Sequence, residues 1–516
     1  MKRLLFLPTL AFCVALAACG GGGSSVSPPP PTGGFTLSSL KGTYAFSMSG
    51  MDPNNSGAYF ARVGSFVADG AGNISSVLED VVDLGSSVNQ STLSGKYNVQ
   101  ANGRGTIVLT DTSGNTLDWT LDLQSSSQGL LVETDGKFAS SGSFNLQNVN
   151  DFLASSITGN YVFDFSGVSL AGTNVTPVSM IGNIAPNGGG VISGGAFDTN
   201  DANNGHIGPS TLSAGSYQLD ATYGATYGRG TASFGGATFA FYIVDSTHLK
   251  FIEEDPNGQV GSSGDALLQS GTIPTTAAGF TGSFVYLVGG SSTLTQGADA
   301  SLARFSVTGS GTFGNISYDE NNSGTPVHIS QGSNISNATY TIDTAGSGRG
   351  TFTFTDTTGT YSYVFYLYSP TSGVIQDVTS NIIADGTLLG QSGSPFTLSG
   401  LAGSYVYNWN GVNVSSSNED DFIGQFTLAS GSTSNITGVL DGTVIGLSNG
   451  NNYADIGTQG TLTINSDGTT SNTLQITGSS GLAFKSVAYI VDANTMLILD
   501  TDTNQVLAGI ATRQSN

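Results

Sequence analysis

The chain has 516 residues, with 13 Lys and Arg against 36 Asp and Glu, and its formal net charge is −23. So acidic a body is a poor partner for nucleic acid, whose phosphates demand a positive stripe. Its length exceeds what one core usually holds, so several domains are expected, and its two Cys exclude a disulfide framework.

The first element is an export signal. Met1-Lys2-Arg3 is a short positive head, Leu4 to Ala18 is mostly apolar, and Cys19 follows. The run falls short of the roughly 20 residues that span a bilayer and has the layout of a secretory signal. Leu16-Ala17-Ala18-Cys19 resembles the lipobox of bacterial lipoproteins. That resemblance implies a signal peptide over residues 1–18, cleavage before Cys19, acylation of Cys19 (palmitate) and anchoring to a membrane through the lipid. Gly20, in place of an inner-membrane retention Asp, implies the outer membrane of a two-membrane cell. Cys13 lies inside the signal, so the mature chain has no thiol for a disulfide or a metal. Residues 19–36 form a tether, flexible where Gly and Ser dominate and stiff over Pro28 to Pro31.

Four copies of one unit follow, with bounds 37–149, 150–271, 272–393 and 394–516. Each opens with Gly-x-aromatic-x-aromatic, at Gly42-x-Tyr44-x-Phe46, Gly159-x-Tyr161-x-Phe163, Gly282-x-Phe284-x-Tyr286 and Gly403-x-Tyr405-x-Tyr407. A second Gly comes eight residues later, at Gly50, Gly167, Gly290 and Gly411. The copies close on Gly142 and Gln147, Gly264 and Gln269, Gly386 and Gln391, and Gly509 and Gln514, in steps of 122, 122 and 123 residues. Midway, a Tyr strand (Tyr97, Tyr217, Tyr340) runs into Gly-Arg-Gly-Thr at 103–106, 228–231 and 348–351; copy four has Thr469-Thr470-Ser471-Asn472 there. Glycines flanking an Arg read as a tight hairpin with a solvated Arg.

Within a copy the apolar residues alternate. Leu117, Trp119, Leu121 and Leu123 interleave with Asp118, Thr120 and Asp122. This is the period of a strand with one buried face. Copy one divides into eight strands near 42–50, 58–68, 73–82, 92–100, 104–111, 116–124, 129–135 and 139–147, joined by short turns. The fold class is therefore all-β: an antiparallel meander that closes as a small up-and-down β-barrel, or alternatively stacks as a β-sandwich. The Gly-x-aromatic opening is similar to that of calycin barrels such as lipocalins, and the whole repeat resembles those of uncharacterised β-rich bacterial lipoproteins. Neither resemblance carries a ligand or an activity over. The connections at 148–156, 270–279 and 392–400 are short, which predicts an elongated string of barrels.

Residues able to do chemistry are few. His206, His248 and His328 fall at different places in their copies, without zinc spacing. Gly446-Leu447-Ser448-Asn449-Gly450 leads into Asn451 rather than a helix, so it reads as a turn and not a nucleophile elbow. Acids recur in register. Counting nine back from the closing Gly gives Glu133, Asp255, Asp377 and Asp500, and the end of strand three gives Asp80, Asp198, Asp319 and Asp441. Capping of turns by their own side chains is the simplest role for them. Calcium is the possible cofactor, with Asp198, Asn200 and Asp201, and Asp500, Asp502 and Asn504, as oxygen ligands. Both runs depart from the EF-hand pattern: Gln505 and Ala511 stand where Gly and a bidentate Glu belong, as do Asn203 and Pro209 in the other. Tyr223 and Tyr227, in a loop, are candidates for exposure.

No catalytic residue is assigned. The expectation is a membrane-anchored cell-envelope lipoprotein acting as a non-catalytic binding or structural module. Its partner would be envelope polysaccharide or a surface protein, met by several similar sites at once. The alternatives are a small-ligand carrier using barrel interiors, and a hydrolase using acids such as Glu253, Glu254 and Asp255.

Overall fold

The computed structural model describes residues 34–53, 58–84, 89–171, 174–254, 259–329, 335–416, 418–430, 434–444, 451–470, 476–477 and 483–515. Cys19 and the signal, Asp255 and the Gly446 to Gly450 run lie outside the described residues.

Copy one forms β1 (Lys41–Asp52), β2 (Ala58–Asp69), β3 (Asn73–Asp83), β4 (Asn89–Val99), β5 (Arg104–Asp111), β6 (Thr116–Leu123), β7 (Gln128–Glu133) and β8 (Ala139–Leu146). Consecutive strands pair antiparallel and β1 pairs β8, which closes an eight-stranded barrel rather than a sandwich. Copy two has nine strands, because its fourth is split into Gly205–Leu212 and Gly215–Leu219, and it closes through both Asn174–Pro186 and Val191–Asp201. Copy three is a nine-stranded sheet edged by Thr325–Ile329 and Ser336–Ile342, with a single bridge between Thr312 and Thr339. Copy four shows a seven-stranded sheet and a two-stranded one among the described residues.

The recurring glycines mark the line where each unit closes. A Cβ at Gly50 would lie 1.9 Å from the carbonyl oxygen of Ala139, and one at Gly142 1.9 Å from that of Ser47. The same collision awaits Gly264, at 1.8 Å, and Gly411 and Gly509, at 1.9 Å each. First and last strands approach so closely there that only glycine fits.

Inside, each unit is filled. Tyr44, Phe46, Met48, Phe66, Trp119 and Phe144 pack the centre of copy one, and an aromatic-rich cluster fills each of the other three. A one-turn plug closes one end. The Tyr97 hydroxyl donates to the carbonyls of Leu37 (2.9 Å) and Leu40 (2.8 Å), and Tyr217 and Tyr340 repeat this on Ala154 and Ile157 and on Ala277 and Phe280. That is why each Tyr strand carries its tyrosine.

The four units do not form a string. Apolar clusters join copy one to two, two to three and three to four. Copy four then returns to copy one through Arg104 and Asp441, so the chain closes as a ring. Each contact is head-to-tail, and such an interface makes a closed ring when its rotation returns to the start.

Candidate functional site

The recurring polar residues build the joints of this ring. The Gly-Arg-Gly-Thr arginines are buried rather than solvated, and each reaches the strand-three Asp of the preceding copy. Arg229 donates through Nε (2.8 Å) and Nη2 (2.9 Å) to the two carboxylate oxygens of Asp80. Arg349 does the same to Asp198, at 2.7 and 2.8 Å, and Arg104 to Asp441, at 2.9 and 2.6 Å. Tyr242 and Tyr366 hydroxyls add a third bond to Asp80 and Asp198, each at 2.7 Å. Copy four lacks the Arg, and Asp319 is held instead by the Tyr489 hydroxyl and by His328 Nδ1 at 2.7 Å.

The strand-three acids are therefore not turn caps. Burial alone would raise Asp198, but Arg349, His206 and Tyr366 outweigh it and hold its carboxyl at about 2. His328 is raised, chiefly by its hydrogen bond to Asp319. His206 and His328 each bond the strand-three Asp of their copy at 2.7 Å, His206 from opposite Asn200 through Nε2 and His328 from opposite Asp319 through Nδ1.

The closing Gln residues latch each copy to the next. The Nε2 of Gln147 donates to the carbonyls of Tyr227 and Ile243, that of Gln269 to Ser347 and Leu367, and that of Gln391 to Asp467 and Ile490. Gln514 completes the circle on Asn102 (3.0 Å) and Leu123 (2.8 Å) of copy one. Tyr223 and Tyr227, expected at the surface, are half-buried against the joint between copies one and two.

The calcium candidates do not converge on a cation. Asp198 is committed to Arg349, Tyr366 and His206, and the Asn200 amide donates to the carbonyls of Asp377 and Ile382 across a joint. Asp201 caps its own turn on Asn203 and Asn204. Asp500 is buried and accepts from the Asp502 amide, Asp502 accepts from the Lys485 amide, and the Asn504 carbonyl accepts from Val414. Among the described residues no group of three or more His, Cys, Asp or Glu side chains is placed to hold a metal.

Counting back from the closing Gly also misplaces one acid. Glu133 lies opposite Trp119 and Asp377 opposite Tyr363, and the corresponding pair in copy two is Glu253 opposite Phe239. Ser140 donates to Glu133 (3.0 Å) and Ser262 to Glu253 (2.7 Å), which confirms that Glu253 and not Asp255 is the equivalent. Glu254 is spent on Arg229, at 2.7 Å.

Where the four copies meet, first and last strands of each wall an axial cavity of about 720 Å³. Its lining is mixed: Ser166 and Ser263 from copy two, Asn408 and Asn410 from copy four, and Ser47 and Ser143 from copy one stand among Val162, Leu287, Val374 and Val506. Acids are set among them. Lys250, fully buried, donates to Ser47 (3.1 Å), Ser143 (3.3 Å) and Asp265 (3.3 Å). Burial would raise Asp265, but Lys250 and His248 hold it well below the usual carboxylate range. Asp164 of copy two and Asp385 of copy three lie together; burial raises both, and the charge of Asp385 raises Asp164 further. Glu419 is raised by burial and by the neighbouring Asp421 and Asp420.

This is an all-β ring of barrel units around an axial cavity. No known family description matches the chain, and no curated protein matches it. Among solved structures it is similar to transferrin binding protein B from Haemophilus parasuis Hp5, a vaccine antigen crystallised as a point mutant. The identity is 11%, over 70% of this chain and 76% of that one, with a TM-score of 0.19. The isotype 1 transferrin binding protein B of serogroup B Neisseria meningitidis is 11% identical over 80% of this chain and 83% of that one, with a TM-score of 0.20.

Proposed function

We propose that the chain is a lipid-anchored, non-catalytic binding module of the cell envelope, a rigid ring held off the membrane by its tether. The observation that carries this reading is the axial cavity, walled by all four copies and lined in part by hydroxyls, amides and carboxylates. Its volume of about 720 Å³ lies in the range of ligand sites, roughly 300–1,000 Å³, and its wall sets hydroxyls, amides and carboxylates among apolar side chains. Sugars present both hydroxyls and apolar ring faces, which a mixed wall can meet, so envelope polysaccharide is the favoured partner. A carrier that uses the centres of the barrels is less well supported, because aromatic side chains pack them. A hydrolase is disfavoured because Glu254 is engaged by Arg229 and Glu253 is buried against Ser262.

The test is equilibrium binding of isolated envelope polysaccharide to the purified chain and to Asn410→Trp, which places an indole in the cavity. Saturable binding that the variant loses supports the reading. Binding that is absent, or that survives the substitution, refutes it.

A further inference from the structure

Barrel one shows what the floor of such a barrel is built to hold. Arg62 points inward from β2, with Nη1 3.2 Å from Glu79 Oε2 and Nη2 3.2 Å from Glu133 Oε2. Its guanidinium also packs over the rings of Phe60, Trp119 and Phe138. Burial disfavours its charge, but Glu133 and Glu79 outweigh burial and raise the guanidinium above its ordinary value.

Strand register carries these positions onto copy three. Arg62 lies opposite Met48 and Val81, and the residue opposite the corresponding Val288 and Glu320 is Ser301. Glu133 opposite Trp119 becomes Asp377 opposite Tyr363. Phe60 opposite Gly50 becomes Asp299 opposite Gly290. The long cationic side chain has given way to a hydroxymethyl group; of its two acids Glu133 is kept as Asp377 and Glu79 is replaced by Tyr318, while Asp299 and Glu320 are gained. At the rim, Tyr361 donates to Glu320 at 3.3 Å.

A second observation is independent of this comparison. Asp299 Oδ2, Ser301 Oγ and the hydroxyls of Tyr286, Tyr318 and Tyr363 belong to side chains at most 1% exposed, yet none has a hydrogen-bond partner among the described residues. Tyr286, Ser301 and Tyr363 stand close enough to influence one another's ionisation, without reaching hydrogen-bond geometry. Orphaned buried polar atoms are costly, and a cluster of them at one barrel end asks for a ligand.

We propose that the floor of barrel three binds a small guanidinium compound, which takes the place that Arg62 fills in barrel one. Carboxylates pair with its N–H donors and tyrosine rings flank its face, the combination that attracts a desolvated planar cation. The site borders the axial cavity, whose wall Asp299 also lines, while Ser301, Asp377 and the tyrosines lie outside that wall. Burial pushes Asp377 up to about 7 and raises Asp299 and Glu320. Binding a cation there expels protons, so affinity increases with pH.

The test is calorimetric titration of the full chain, purified in detergent, with methylguanidinium and separately with methylammonium. One saturable methylguanidinium site at pH 8, weakened at least tenfold at pH 5, is expected. Ser301→Arg, which supplies the guanidinium from within, and Asp377→Asn, which is nearly isosteric, should each abolish it. Should Ser301→Arg fail to fold, Asp377→Asn decides alone. No saturable binding by the wild-type chain, binding unchanged in Asp377→Asn, or equal binding of methylammonium overturns the proposal. Loss of polysaccharide binding in Asn410→Trp leaves this titration unaffected, so the two readings fail separately.

Discussion

Replacing Arg349 by Thr copies into the joint between copies two and three what copy four already has at Thr469. Asp198 is 0% exposed and would lose both bonds of a bidentate pair. Removing one partner of a buried ion pair costs about 3–5 kcal/mol, because a buried charge is left uncompensated. Here the Tyr366 hydroxyl and His206 remain on the carboxylate, each at 2.7 Å, as Tyr489 and His328 remain on Asp319. The expected loss therefore falls to about 2–3 kcal/mol. Urea unfolding of the full chain measures it, and the double variant with Asp198→Asn gives the coupling, about 2 kcal/mol of recovery. The acid limb of stability should change too. Asp198 sits at about 2 when folded, so its contribution is present above its ordinary value of 3.8 and is lost as pH falls through 2. The variant loses that contribution at neutral pH already. A cost under about 1 kcal/mol, the value of an exposed pair, or strict additivity with Asp198→Asn would refute the joint.

Burial raises Glu133, Asp377, Asp420 and Asp421 to about 7, so the folded chain binds more protons than the unfolded one. Their contribution to stability should be full below their ordinary values of 3.8 and 4.5 and be lost as pH rises through 7, and a higher melting temperature at pH 8.5 than at pH 5.5 would contradict this. Arg104→Ala should open the ring at its last joint and enlarge the radius of gyration seen by small-angle scattering, while circular dichroism stays β-type. Cys19→Ala should shift the chain from the membrane to the soluble fraction, and an unmodified native N-terminus by mass spectrometry would count against the anchor. Residues 150–271 alone should fold yet self-associate, because Val162, Ile181 and Tyr242 lose their covering neighbours, which sedimentation can check.

Strands were legible because their physics is local. Alternation around Trp119 and the Gly-Arg-Gly turn set β5 and β6 to within a residue of their observed ends. The closing glycines were legible as a period, though not as a collision, since a missing side chain does not reveal what it makes room for. The ring was not legible, because its bonds join residues more than a repeat apart: 149 for Asp80 and Arg229, 151 for Asp198 and Arg349, and 337 for Arg104 and Asp441. One signal did lie in the sequence. Four strand-three Asp residues face three Gly-Arg-Gly arginines, and the Asp of copy four has a partner only if copy four meets copy one. Reading each acid inside its own copy turned joint residues into turn caps.

The joint between copies four and one differs from the others in the order of its making. A chain emerging N-terminus first can seat copy two on one, three on two and four on three as each appears. The last contact waits for Gln514 and for a closure spanning most of the chain, whose entropic cost grows with the logarithm of its length. Throughout that wait the outer faces of copies one and four stand bare. An apolar face left open so long invites association between neighbouring unfinished chains. Among the described residues apolar clusters join the first three pairs, whereas the last pair meets through Arg104 and Asp441, Ser141 and Asp421, and Gln425 and Asp122. The surface that must stay uncovered longest is the one that water tolerates best, so the half-made ring is guarded against its own copies until its final residues arrive.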